Sequence, residues 1–481
     1  MSDAPTTVPG EVDVLVLGYG GAGASAAMTA HDSGATTLLV EAGRQAGGNT
    51  RASGGSLRPV QDPQGALQYL EHLAQGETPS RMLEAFLAET PRTLRWLESL
   101  GAELVPLDGR AISSYPRITD VTYSGVPGAD AMAGRLRVAS PRGELGGEAL
   151  WNVLEAGVAA RGIPVLLGAR ARTAVRRTDG SFRVVVQTGA DEREVVARAL
   201  VLALGGFGHA ADLVEDFVGH PLVAFGPPQN RGDGLLMAQA LGADLWHTPA
   251  VAATLGYVLD GVDGPVRHQS PAAGFVYVDS SGERFVDETG TDFHALPMAF
   301  LKADARTGRY LRMPSYFVFD ERTRAAGPIA NGGLTWADID WSEDNAREVE
   351  AGLIATSTTI AGLAETLGLD AATLERTIGR YNEGCARRDG DALGRQDLEP
   401  VAEPPFYAVP VTPVLVNTQG GPRRDEHGRV LGPDGTVIPG LYAAGELGSM
   451  WGQMYPGAGN LTEALVSGRA AGRHAAGEMR S

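Results

Sequence analysis

The 481-residue chain has a single cysteine, Cys385. That excludes an intramolecular disulfide and fits a reducing, cytoplasmic setting. No uninterrupted apolar run approaches the ~20 residues that a membrane span needs. The opening "MSDAPTTVPGEV" lacks a basic stretch followed by an apolar one, so no secretory leader is expected. Positive charge is also short: 40 Lys and Arg stand against 58 Asp and Glu, a net charge of −18. That is the wrong sign for holding nucleic-acid phosphates, and an acidic surface is mostly a solubility feature. One cysteine cannot supply an iron–sulfur ligand set, there is no haem motif, and no metal site is expected.

What is present is an ordinary globular balance, 43% hydrophobic and 20% charged, in a chain too long for one core. The first clear unit is "DVLVLGYGGAGASAAMTAHDSGATTLLVEAG". A short apolar run, a small-residue helix ended by Gly34 and a second apolar run read as a βαβ unit of a parallel sheet. Further on, "GALQYLEHLAQ" and "PRTLRWLESLG" read as amphipathic helices, the second opened by Pro91. "FRVVVQTGADEREVVARALVLALGG" reads as a hairpin flowing into another buried strand. After about residue 245 short strands mix with helices such as "TLERTIGRYNEGCARR". The proline-rich "EPPFYAVPVTP" then reads as a hinge or crossing point. The layout is an α/β, Rossmann-like dinucleotide domain over residues 1–245 and 411–481, interrupted by an α+β substrate (capping) domain over 246–410.

Gly18, Gly20 and Gly23 satisfy G-x-G-x-x-G between a strand and a helix. In that motif the first glycine turns tightly, the second lets backbone approach a pyrophosphate, and the third packs helix on strand. Free N–H groups at the helix start, Ala22 among them, suit phosphate. Glu41 ends the second strand about 20 residues on, where a carboxylate can accept from a ribose. The motif alone does not separate NAD from FAD.

The next block, "EAGRQAGGNTRASGG" (41–55), resembles the flavin-binding signature of the fumarate reductase and succinate dehydrogenase flavoprotein superfamily, which includes the 3-ketosteroid dehydrogenases. Four more blocks follow in order, "ALVLALGGFG", "NRGDGLLMAQALGADL", "GERFVDE" and "GLYAAGE", and then "GSMWGQMYPGAGNLTEAL", so the resemblance spans nearly the whole chain. It implies FAD lying along Ala42, Asn49, Thr50, Ser53, Gly54 and Gly55. Gly205, Gly445, Asn460 and Leu461 complete the cradle, with Asp233 near the adenine end and Glu446 on the ribityl chain. A helix N-cap is the plainer reading of Asp233. Members with covalently attached flavin carry a histidine where this sequence has Asn49, so non-covalent FAD is implied.

In fumarate reductases the final loop carries an arginine that clamps a carboxylate, and that position falls on Tyr455. A family histidine position falls on Asn417, and the proton-donating arginine has no counterpart in "ETGTDFH". A dicarboxylate substrate becomes improbable. Instead, Tyr455-Pro456-Gly457-Ala458-Gly459 is similar to the Tyr-Pro-Gly-x-Gly of ketosteroid 1-dehydrogenases. There the tyrosine hydroxyl and the second glycine's N–H, here Gly459's, hold the substrate ketone. The tyrosine that follows the "GERF" block in those enzymes falls on Phe293. His294 is therefore the leading base and Asp292 a weaker one, while Tyr115 is a pocket relay or a loop anchor. Arg51, Arg58 and Arg267 either read a distant carboxylate or are solvated surface groups; Trp451 and Met454 either wall an apolar ring or belong to the core.

The implied function is an FAD-dependent desaturase that introduces a C=C bond beside a ketone of a cyclic substrate. The substrate is a 3-oxosteroid or a smaller alicyclic ketone such as an oxocyclohexanecarboxylate, and electrons leave to O2 or an external acceptor. The alternatives are an ene-reductase running in reverse and a non-catalytic flavin-binding sensor.

Overall fold

A computed structural model of the chain describes residues 9–107, 123–140, 146–290, 294–331, 339–387 and 391–477. The strand Glu11–Leu17 lies parallel between Thr37–Val40 and the second half of Asp191–Leu202. Val165–Leu166 and Val437–Ala443 extend this parallel core on either side. Val14 to Leu17 are fully buried, as expected for a parallel strand covered on both faces. The first half of Asp191–Leu202 leaves the core to form an antiparallel ribbon with Phe182–Thr188 and Ala169–Arg176. The βαβ reading and the hairpin reading therefore both match the described structure.

Helix Gly21–Asp32 follows the glycine turn and is buried along most of its length, from Gly21 to Met28 and again at Ala30. Small residues on all sides suit a helix enclosed by others. Its neighbour is the last helix, Gly459–Gly477. A Cβ on Gly468 would lie 2.3 Å from the Ala22 carbonyl oxygen, and one on Gly472 would lie 2.2 Å from that of Ala26. Those glycines let the two backbones touch.

The second sheet is mainly antiparallel. Its order is Phe275–Val278, Ser315–Asp320, Phe406–Thr418, Val251–Tyr257, Val266–His268 and Ala330–Asn331. Helices Ile360–Leu367 and Ala371–Arg387 pack on it through Leu363, Leu374, Ile378 and Tyr381. Among the described residues no helix is long and apolar enough to cross a membrane.

Two local expectations change. "EPPFYAVPVTP" is not a hinge, because Phe406–Thr418 is a continuous strand of the second sheet that runs across the expected boundary at 410/411. Its prolines fall where it changes partners: residues 406–411 pair with 315–320, and 412–418 with 251–256. The strand's further pairings, 406–408 with 355–357 and 414–415 with 223–224, leave out Pro410 and Pro413. The chain re-enters the first sheet later, at Arg429–Leu431 and Val437–Ala443.

Pro91 does not open a helix either. Helix Ser80–Ser99 runs straight through it, burying Met82, Leu83, Phe86, Leu87, Thr90, Thr93 and Leu97 on one face. That apolar face outweighs the lost bond to the Leu87 carbonyl. A proline inside a helix costs ~3 kcal/mol, less ~1 kcal/mol for its stiffening of the unfolded chain. Pro91→Ala is therefore expected to raise stability by about 1–2 kcal/mol in urea unfolding. A lowered midpoint would show that the proline ring itself supports the packing.

Candidate active site

The glycine turn is built from two loops that hold each other. Gly47 donates its N–H to Tyr19 O at 2.8 Å, and Gly21 N donates to Thr50 Oγ1 at 3.0 Å. Gly18 has φ +97°, and a Cβ there would sit 2.2 Å from Ala203 O; a Cβ on Gly23 would sit 1.8 Å from Gly18 O. Packing alone demands those two glycines. Gly20 differs, because its added Cβ would meet only Gly47 O, at 3.7 Å, and one on Gly54 would meet nothing within 4 Å. Glycine at 20 and 54 has no internal reason, and the space suits a pyrophosphate lying on the helix start.

Around that space the expected cofactor residues fall into two groups. Glu41 accepts from Tyr19 N at 2.8 Å and Gly43 N at 2.7 Å. Burial raises its carboxyl above the usual range against the pull of those N–H groups. Asn49 donates to Glu446 at 2.7 Å, and Thr418 N donates to the same carboxylate at 3.1 Å. Packing pushes the Glu446 carboxyl up to about 7, although part of the side chain remains accessible. Ala42, Ser53, Asn460 and Leu461 are likewise partly open along this face.

Others are tied up inside the protein. The Thr50 side chain is spent on Gly21, and a Cβ on Gly55 would strike Gly146. Gly205 abuts Asn230, and Gly445 abuts Ala22 with its N–H on Ser467 Oγ. Asp233 is not an N-cap: Gly232 caps the helix Asp233–Ala240, and the carboxylate pairs with Arg170 at 2.7 Å. In the first turn a carboxylate is favoured by the helix dipole.

The second cluster lies at the start of the last helix. Tyr455 is buried, 6% exposed, and its hydroxyl accepts from Asn460 N at 3.3 Å. The His294 ring stands edge-on to it at 4.8 Å between centroids. His294 Nδ1 bonds Ala253 O at 2.9 Å, at the point where Val251–Tyr257 shifts register against Phe406–Thr418. A carbonyl partner fixes the proton on Nδ1 and leaves Nε2 as the basic nitrogen. Burial, aided by the Arg267 charge and opposed by the Ala253 bond, lowers His294 to about 4, so the ring is neutral at pH 7. Gly459 behaves differently from expectation. Its N–H is donated to Pro456 O at 2.9 Å, and a Cβ there would press on Trp451 and Pro456 at 3.0 and 3.2 Å. The N–H that converges on the tyrosine oxygen is Asn460's.

An amide chain that sequence reading overlooked supports this corner. Asn460 Nδ2 donates to Asn417 Oδ1 at 2.9 Å, and Gln419 Nε2 donates to Asn460 Oδ1 at 3.3 Å. The amide-rich "NTQGG" was the available signal. The "GERFVDE" block is tied down internally: buried Glu288 takes Arg284 at 2.8 Å, Arg395 at 3.2 Å and Tyr277 N at 3.3 Å. Arg51 pairs with Glu148 at 3.0 Å, and Trp451 packs edge-on against Phe86 in a core cluster that Met454 borders. Tyr115, Asp292 and Phe293 lie outside the described residues. Among the described residues no group of His, Cys, Asp and Glu is arranged to hold a metal.

A glycine cradle suited to a dinucleotide thus lies in one chain with a Tyr–His pair beside the second sheet. The profile of the family described as "FAD binding domain" matches residues 13–461, and the chain belongs to that family. Its cofactor is FAD. The 3-oxosteroid 1-dehydrogenase of Mycobacterium tuberculosis is 28% identical, over 97% of this chain and 98% of that protein. The NADH:fumarate oxidoreductase of Klebsiella pneumoniae is 27% identical over 98% of this chain, which spans only 48% of that longer protein. The fold matches the crystal structure of 3-ketosteroid delta1-dehydrogenase from Sterolibacterium denitrificans in complex with 1,4-androstadiene-3,17-dione. The TM-score is 0.83 at 21% identity, covering 98% of this chain and 100% of that one. The family is one of FAD-binding proteins, and these relatives are oxidoreductases acting on CH–CH groups.

The open space at Gly20 makes a direct test. Gly20→Ala is expected to leave the apoprotein's melting temperature nearly unchanged and to weaken FAD binding at least tenfold. Gly23→Ala, which collides with Gly18, should lower the melting temperature itself. Equal effects of the two on melting would show that Gly20 serves packing rather than the cofactor.

Proposed function

We propose that this enzyme desaturates a cyclic ketone beside its carbonyl. The reading is carried by one observation: the Asn460 N–H donates to the Tyr455 hydroxyl oxygen at 3.3 Å and so holds that hydroxyl in place, with a neutral histidine ring against the same tyrosine. Removing hydrogen from adjacent carbons takes a proton from the α carbon and a hydride from the β carbon. The α proton leaves only if negative charge on the ketone oxygen is stabilised. A ketone oxygen that accepts from the Tyr455 hydroxyl gains an oxyanion-stabilising donor, typically worth ~3 kcal/mol, and the Asn460 N–H on the phenol oxygen strengthens that donor. The donor is neutral, which suits a carbonyl that becomes an enolate; a carboxylate is better served by a guanidinium.

His294 Nε2 takes the α proton, oriented by the Nδ1 bond to Ala253. The Trp451, Met450 and Ala252 cluster beneath Tyr455 gives this corner an apolar floor that excludes water. The Gly18–Gly23 turn, Glu41, Asn49 and Glu446 would hold FAD. The Asn49 amide has no ring nitrogen to bond it covalently, so binding is non-covalent. FAD supplies the acceptor for the β hydride, and its electrons pass on to O2 or an external acceptor. A 3-oxosteroid or a smaller alicyclic ketone such as an oxocyclohexanecarboxylate fits this chemistry. The relative named NADH:fumarate oxidoreductase favours a second reading, the reverse reduction of an unsaturated acid or ketone.

Anaerobic mixing of the oxidised holoenzyme with saturated cyclic ketones, 3-oxosteroids and succinate separates these readings. Ketones are expected to bleach the flavin band and succinate to leave it. Bleaching by succinate with every ketone silent would contradict the assignment. The bleaching rate should stay level on acidification from pH 8 to 5. Below about 4, where His294 gains a proton and loses its lone pair, it should fall about tenfold per unit. A limb near pH 7 would point to a different base.

A further inference from the structure

Arg58 belongs to none of the roles that its sequence position suggests. It is 3% exposed, so it is not a solvated surface group. Its guanidinium binds main-chain carbonyls. Nε and Nη2 both donate to Gly457 O, the former at 3.0 Å, while Nη1 donates to Met132 O at 3.0 Å and Gly134 O at 3.2 Å. Its own N–H donates to Thr462 Oγ1 at 2.8 Å. Arg58 thus grips the chain on both sides of Gly459 and Asn460, by side chain at 457 and by main chain at 462. It stands three residues after Gly55, so one residue joins the loop on the cofactor side to the loop on the substrate side.

The grip falls where the substrate loop is strained. Ala458 has φ +63°, a left-handed conformation that an alanine does not choose unaided. Two nitrogens on one carbonyl fix the plane of the Gly457–Ala458 peptide, which a planar guanidinium does and a point-like ammonium does not. The next two residues set the Asn460 N–H toward the Tyr455 hydroxyl. We infer that Arg58 is a positioning residue: it locks the 457–462 turn so that the Asn460 N–H holds the Tyr455 hydroxyl where a substrate carbonyl would meet it. This rests on reading that hydroxyl as the carbonyl donor.

The hydroxyl acts on developing charge, so its misalignment is expected to lower kcat rather than raise KM. Arg58→Met and Arg58→Lys holoproteins are compared with the wild type in turnover, FAD content and amide hydrogen exchange of the peptide spanning 455–462. Arg58→Met is expected to keep FAD, to exchange that peptide at least tenfold faster, and to lose about 10–100-fold in kcat with KM within about twofold. Arg58→Lys, which retains the charge and reaches one carbonyl, should fall between it and the wild type in both readouts. Unchanged exchange and kcat in Arg58→Met would overturn the inference. So would loss of FAD with faster exchange throughout the chain in both variants, which is the signature of a general structural role. If no ketone bleaches the wild-type flavin, the proposed reaction fails, and the exchange comparison still decides whether Arg58 locks the turn.

Discussion

The last helix can lie against the first only because Gly468 and Gly472 carry no side chain where they meet the carbonyls of Ala22 and Ala26. Everything in the site depends on that approach. The first helix begins at the glycine turn, and the last begins at Gly459 and Asn460. Backbone contact between them puts the helix start proposed to bind phosphate and the one proposed to bind substrate on neighbouring helices. Larger residues would push the helices towards the 8–10 Å spacing of ordinary packing and separate the two halves of the site.

The second sheet completes the arrangement through one strand. Phe406–Thr418 ends with Asn417 on Asn460 and Thr418 on Glu446, so a single strand end touches both the substrate corner and the cofactor wall. The neighbouring strand carries the register shift that aims Ala253 O at His294. Bulges of this kind recur beside active sites because they turn one backbone group out of the ladder. Burial of so many polar groups is costly, and most are offset by specific partners. The described exception in this network is Gln419 Oε1, which is buried without a partner.

Much of this was legible in the sequence because it is written in local patterns. The strand–glycine turn–helix of Glu11–Asp32, the acid at 41 and the hairpin into Asp191–Leu202 depend on periodicity and turn chemistry, which a sequence displays. The proline-bearing strand and the helix through Pro91 were misread because tertiary burial overrode a local rule in each. Gly459 was read by likeness as a donor, whereas its backbone bond to Pro456 depends on how the turn closes. Arg58 could not be placed at all. An arginine among glycines and prolines gives no sign of burial, and its four carbonyl bonds come from segments about 75 and 400 residues away.

The central proposal is that the Tyr455 hydroxyl, held by the Asn460 N–H, stabilises negative charge on a carbonyl oxygen, and phenols test it without turnover. A series of phenols of falling pKa is titrated into the oxidised holoenzyme and into Tyr455→Phe, following a long-wavelength flavin absorption. The account predicts that the more acidic phenols bind tighter to the wild type, and that Tyr455→Phe weakens the tightest by about 100-fold while FAD stays bound. Equal phenol affinity in the two proteins, or tighter binding of succinate than of any phenol, would contradict it.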